Sequence, residues 1–430
     1  MPSTPVTLRT IAPSAYGPAV LFGIGQGATL PVVAISARDL GASVGIAAFV
    51  VSLIGIGQIA GDLPAGALAA RIGDRRAMVA SSFVIALGLV VCIVATTVAV
   101  LGLGILVVGF AGAVFGLARQ SYLTEVVPLH LRARALSTLG GSLRVGAFVG
   151  PFIGAWAISS GGTDAGYAIF VVCAFAAGFL VLVVPDTEPP GERARRRAAE
   201  VDSPAARKNL REVARAHRHA LLTLGSCALL LMAVRQARQS VLPLWCEHIG
   251  LSVPTTSLLV GLSGAVDMLL FYPAGSVMDR RGRAWVGVPS LVILGIGHAL
   301  LPFSHTVFGV AIVAVVLGIG NGMGAGLVMT LGADVSPAQG RQAFLSVWRL
   351  VTDLGVAGGP LVVAALAAVA GLGPASFGIA VLAAVAAGML GRWAPNVRAG
   401  HPHDPGRPTG VPDRSGPVEG VETDRPACGG

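Results

Sequence analysis

"PAGSVMDRRGR", Pro273–Arg283, packs Asp279, Arg280, Arg281 and Arg283 into a chain that is apolar for long stretches on either side. "PAGALAARIGDRR", Pro64–Arg76, reads as a worn copy of it. One offset of 209 sets Pro64 on Pro273, Gly66 on Gly275, Arg71 on Arg280 and Gly73 on Gly282. The same offset sets Gly41 on Gly250, Ser43 on Ser252, Gly109 on Gly318 and Glu125 on Asp334. It also sets Pro128 on Pro337, Arg132 on Arg341, Gly146 on Gly355 and Gly150-Pro151 on Gly359-Pro360. A constant offset from Gly41 to Pro151 without a gap is an internal repeat.

Composition gives the repeat its setting. Of 430 residues, 54% are hydrophobic and 12% charged, and 59 are glycine. A soluble domain carries about 25% charged residues, so this excess of apolar surface calls for lipid as solvent. Small residues let helices approach closely in lipid, where apolar contact alone brings no reward. The apolar runs lack the two-residue alternation of barrel strands. Twelve runs are long enough to cross a bilayer: 14–36, 44–69, 77–97, 100–122, 136–158, 165–184, 219–243, 254–278, 284–303, 306–331, 343–368 and 375–393.

The basic residues orient them. With a cytoplasmic N-terminus, 24 of the 30 Lys and Arg residues fall in inside segments and only Arg38 falls outside, the asymmetry expected of a polytopic protein. The reading is an all-α membrane protein in the plasma (inner) membrane with both termini cytoplasmic. It divides into an N-tail (1–13), a six-helix bundle (14–184), a cytoplasmic linker (185–218), a second six-helix bundle (219–393) and a disordered tail (394–430). Within the linker, Ser203-Pro204 followed by "AARKNLREVARAH" predicts a short amphipathic helix. The "MPSTPVTLRT" start lacks a cleavable signal pattern.

In this frame the charged stretches are the cytoplasmic loops between the second and third helix of each half. Here the sequence resembles the major facilitator superfamily, whose loop motif has the form G-x-x-x-D-R-x-G-R. Gly275, Asp279, Arg280, Gly282 and Arg283 match it fully, whereas the first copy keeps Gly66, Arg71 and Gly73 but has Ala70 in place of Asp and Asp74 in place of Arg. The resemblance covers about residues 10–395. It implies two six-helix bundles in parallel pseudo-repeat that rock about a central site. It also implies a monomer moving a small molecule through the bilayer. "GAFVGPFIGA", Gly146–Ala155, is similar to the fifth-span motif of drug:proton antiporters in the same superfamily. Physically, Gly146, Gly150 and Gly154 form a packing face and Pro151 a kink.

Charged residues inside spans are expensive and point to function. Asp267, Asp353 and Asp62 are the proton-coupling candidates. Gln26, Arg144, Arg235, Asn321 and Arg349 are the substrate-cavity candidates; Trp156, Trp348, Phe115 and Tyr122 read as facing lipid or core in preference to the cavity. Arg349 and Asp353, four apart, are placed to pair. Arg238 reads as snorkelling to the outer surface and Arg119 as interfacial. A cytoplasmic gate is expected from Arg71 with Glu125 and from Arg280 with Asp334.

The leading expectation is a proton-coupled exporter of small, mainly apolar molecules. The alternatives are a porter of an anionic metabolite held by the intramembrane arginines, and a non-transporting sensor. No nucleic-acid partner, metal or cofactor is expected. The cysteines show no CxxC pairing and read as packing residues. There is no HExxH and no GxxxxGK[ST], so neither zinc hydrolysis nor direct use of ATP is expected.

Overall fold

A computed structural model describes residues 16–127, 132–183, 210–337 and 341–394. The predicted tails and most of the linker lie outside these. Among the described residues, twelve helices are long and apolar enough to cross a membrane. The first half comprises α1 (Gly17–Asp39), α2 (Val44–Ile72), α3 (Asp74–Ile93), α4 (Val98–Val126), α5 (Arg132–Gly161) and α6 (Asp164–Val183). A linker helix, Leu210–Ala216, and a π-helical turn, Leu221–Gly225, lead into the second. That half comprises α7 (Ser226–His248), α8 (Val253–Arg281), α9 (Ala284–Leu300), α10a (Val307–Met323), α10b (Leu327–Val335), α11 (Arg341–Ala370) and α12 (Leu372–Trp393).

The repeat extends to the backbone. Six glycines have positive φ, and they form three pairs at the 209 offset: Gly41 with Gly250, Gly73 with Gly282 and Gly162 with Gly371. Each closes a turn that a residue with a side chain would strain. The caps repeat too. Ser43 accepts from the Ile46 N–H and Ser252 from the Thr255 N–H, while Thr97 and Thr306 cap α4 and α10a in the same way. These hydroxyls satisfy N–H groups that the helix leaves open.

Two predicted boundaries shift for a physical reason. The eighth span runs on to Arg281 because the charged stretch stays helical until Gly282, at φ 97, reverses the chain. The tenth span is broken at Gly324–Gly326, where four glycines between 320 and 326 weaken the helix.

Within the first half, α1 packs on α5 and α6, and α4 on α2 and α3; the second half repeats this with α7 on α11 and α12, and α8 on α10a. Gly23 and Gly27 of α1 meet the backbone of α5, while Gly146, Gly150 and Gly154 meet that of α1. The fifth-span glycines are thus occupied in bringing two backbones together. The second half is one-sided. Gly355 and Gly359 still abut Leu229 and Ala233, but Met232 and Gln236 stand where α1 has Gly23 and Gly27. The halves meet through α2 on α11 and α5 on α8.

Candidate functional site

A cavity of about 390 Å³ lies between the halves, lined from α1, α5, α7, α8 and α10a. Of the predicted residues, Gln26, Arg144, Arg235, Asn321 and Asp267 line it. Arg238 lines it as well. It is directed inward beside Arg235 and donates from Nη1 to Ser263 Oγ at 2.6 Å, so the expected snorkelling is corrected. Positions 235 and 238 are three apart on one helical face. That spacing was the available signal, against the rule that an arginine near a span's end reaches for water.

The polar groups form a chain across the cavity. Asn321 Nδ2 donates to Asp267 Oδ2 at 2.7 Å, and Arg235 Nε donates to Asn321 Oδ1 at 2.8 Å. Arg144, from the other half, lies 3.7 Å from Asp267 Oδ1 and stacks over the Phe271 ring at 4.1 Å. The break in the tenth span supplies two more acceptors. Two carbonyls of that turn, Gly324 O and Ala325 O, receive Arg235 Nη1 and Arg144 Nη2, each at 3.3 Å, and Gly324 O also accepts from the Leu327 N–H. A discontinuous helix thereby offers backbone oxygens at the centre of the fold, which an intact helix would keep for itself.

Asp62, Arg349 and Asp353 form a second cluster at the α2–α11 interface. Arg349 Nη2 reaches Asp62 Oδ1 at 3.0 Å, and its Nε lies 3.6 Å from Asp353 Oδ2. Arg349 therefore serves two carboxylates from opposite halves and is not among the residues lining the cavity. Its place as a substrate contact is corrected on that geometry.

None of the four aromatic residues is among those lining the cavity. Trp156 is 77% exposed on the outer face. Trp348 packs on Phe344 and donates to Val328 O. Phe115 stacks on Phe22 inside the first bundle, and Tyr122 is buried. Arg119 is buried, its guanidinium over the Phe115 ring at 5.5 Å.

At the ends bearing the charged stretches, Asp334 is held by Arg283 instead of Arg280. Arg283 Nε and Nη2 donate to its two oxygens at 2.8 and 3.3 Å, and Nη1 donates to Met278 O. The reversal at Gly282 carries Arg283 back under α8, while Arg280 stays exposed. The corresponding residue in the first half is Asp74, so this clasp has no like-for-like copy there. Arg71 is exposed, and the side chain of Glu125 lies outside the described residues. Gly66 and Gly275 sit in α2 and α8 one to two turns before Gly73 and Gly282, and Asp279 lies 3.7 Å from Arg283. The four described cysteines are buried and unpaired.

Two bundles of like topology around an inter-bundle cavity that holds charged side chains are the architecture of a membrane transporter. The Major Facilitator Superfamily profile matches residues 19–266 and 224–421, and the chain belongs to that family. Three solved structures are similar in fold. A bacterial homologue of the human lysosomal transporter Spinster, inward-facing and unoccupied, aligns with TM-score 0.75 at 14% identity over 92% of this chain and 98% of that one. A point mutant of the nucleoside transporter NupG aligns with 0.71 at 17% over 88% and 99%. A D-xylose-proton symporter aligns with 0.69 at 14% over 91% and 99%. No curated protein matches the sequence.

Proposed function

We propose that the chain is a secondary active transporter that carries a small organic anion across the plasma membrane by alternating access. One observation carries the reading: the cavity-lining side chains include three guanidiniums and one carboxylate. Arginine pairs with carboxylate or phosphate through two parallel hydrogen bonds, and a low-dielectric cavity strengthens that preference. The fifth-span glycines, which led toward an exporter of apolar cargo, are accounted for by the packing of α5 on α1.

Proton coupling is assigned to Asp353 and Asp62. With both ionised, two carboxylates face one guanidinium and the cluster carries one excess negative charge between the bundles. A single proton neutralises it. Asp353 Oδ2 is buried and accepts no hydrogen bond, which leaves it available for that proton. The 24-to-1 arginine and lysine bias orients the Gly73 and Gly282 ends to the cytoplasm. The cavity is complete within one chain, which supports a monomer as the working unit.

The test is uptake into proteoliposomes loaded with a panel of small carboxylates and phosphate esters, beside lipophilic cations. Counterflow with anions, lost in Arg235→Ala, is expected. Asp353→Asn should keep counterflow and lose accumulation driven by an imposed pH gradient. Proton release triggered by lipophilic cations, with no anion counterflow, would return the assignment to a drug:proton exporter. The apolar lining of Leu30, Phe148, Met232 and Met268 is the feature that favours this second reading.

A further inference from the structure

The cavity's charges do not all have the same standing. Arg144 has a counter-ion, since Asp267 lies 3.7 Å away and the pair spans the two halves. Its remaining contacts are Ala325 O and the Phe271 ring. The second oxygen of Asp267 accepts from Asn321. Arg144 and Asp267 together therefore carry no net charge.

Arg235 and Arg238 have only neutral hydrogen-bond partners, and the one carboxylate lining the cavity, Asp267, is shared among three arginines. Arg235 donates to the Asn321 amide oxygen and to Gly324 O. Arg238 donates to Ser263 Oγ, and its Nε is buried with no hydrogen-bond partner. Both side chains lie on one face of α7 and line the same cavity. With three arginines and one carboxylate the cavity keeps an excess of two positive charges, and neighbouring cations repel each other in a medium that screens weakly. A ligand with one negative charge would leave one of them uncompensated.

We propose that the cavity selects a dianion, a small organic molecule with two negative charges, and that Arg238 sets this preference. The inference rests on the organic-anion reading of the same site and narrows it. Arg235, tied to the Asn321–Asp267–Arg144 chain, positions the first anionic group. Arg238, which lines the cavity and whose Nη1 donates only to Ser263 Oγ, receives the second charge. A dicarboxylate and a phosphate monoester share this chemistry. The monoester carries about −1.5 to −2 at neutral pH. A cavity of about 390 Å³ admits either on a short carbon skeleton.

The test is calorimetric titration of the purified full-length chain in nanodiscs at neutral pH. Four probes are used: succinate, monomethyl succinate, glycerol phosphate and its methyl diester. Each pair differs by one negative charge on the same skeleton. At least one dianion should bind about tenfold or more tighter than its monoanionic ester, the scale of one lost charge-assisted hydrogen bond. Preference within the succinate pair assigns a dicarboxylate, and preference within the glycerol pair assigns a phosphate ester.

In Arg238→Gln the preference should fall to within about twofold, against the tenfold of a charge-assisted bond. Arg238→Lys, which restores the charge, should keep most of it. Esters that bind as tightly as their dianions in the native chain overturn the proposal. So does a preference that survives in Arg238→Gln at an unchanged melting temperature. Binding by none of the four probes instead removes the organic-anion reading itself, a separate outcome from equal binding of both charge states.

Discussion

Arg283 shows how one side chain can clamp the end of a bundle. Its guanidinium meets both oxygens of Asp334 and a carbonyl of the last turn of α8, and the side chain is only 9% exposed. Asp334 is 12% exposed, so water cannot replace the lost contacts fully. Removing one partner of such a pair leaves a charge with little compensation. Arg283→Ala is therefore expected to destabilise the protein by about 2–4 kcal/mol. Arg280 is exposed, and Arg280→Ala should stay within about 0.5 kcal/mol. Unfolding in detergent measures both, and the double variant Arg283→Ala/Asp334→Ala should cost less than the sum of its singles. Equal losses at 280 and 283 would show that the clasp contributes no more than a surface charge. The sequence placed an arginine against Asp334 but named the wrong one. A helical wheel does not foresee the reversal at Gly282.

The tenth span raises the corresponding question for an element. Hydropathy reads 306–331 as one run because nothing in "GNGMGAG", Gly320–Gly326, is charged. The four glycines were the signal for a break, and it mattered, since two carbonyls of the turn hold one arginine from each half. Gly326 lies outside the crowded part of the turn, where an added carbon would meet only Met278 Cε at ordinary contact distance. Gly326→Ala should favour helix there by about 0.8–1 kcal/mol. The melting temperature is expected to hold or rise while anion counterflow falls, because a continuous helix withdraws the acceptors of Arg144 and Arg235. Unchanged counterflow in a protein of native stability would show the break to be incidental. The repeat set Gly41 on Gly250, Ser43 on Ser252 and Gly73 on Gly282, and the structure shows these to be paired turns and caps. The sequence misdirected Arg238 and named only one of the two carboxylates that Arg349 serves. Those depend on how helices far apart in sequence face one another.

Across the whole molecule, the repeat makes contacts with itself. Arg38 at the end of α1 and Glu247 at the end of α7 are equivalent positions of the two halves, 209 apart, and they pair at 3.3 Å. Arg38 also donates to Ala42 O. Around this pair the halves pack closely. Gly45 and Gly55 of α2 lie against Ala364 and Ala357 of α11, and Gly261 of α8 against Phe152 of α5. Toward the other end the same helices have room, with nothing within 4 Å of a side chain built at Gly140, Gly141 or Gly275. The structure is thus closed at the Arg38 end, and rocking to the opposite state must separate Arg38 from Glu247. Both partners are about a third exposed, 31% and 30%, so the pair contributes roughly 1 kcal/mol or less. That suffices to bias a two-state equilibrium about fivefold without locking it. Spin labels at the exposed positions Ile46 and Leu258, introduced as cysteines with Cys428 replaced, would report the separation of the halves at this end; the described native cysteines are buried and spare the background. Glu247→Gln should widen the distance distribution, and the swap Arg38→Glu/Glu247→Arg should bring it back. If Glu247→Gln leaves the distribution unchanged, closure at this end rests on the glycine packing of α2 against α11 and of α8 against α5, and the pseudo-symmetric pair is a consequence of that packing instead of a latch upon it.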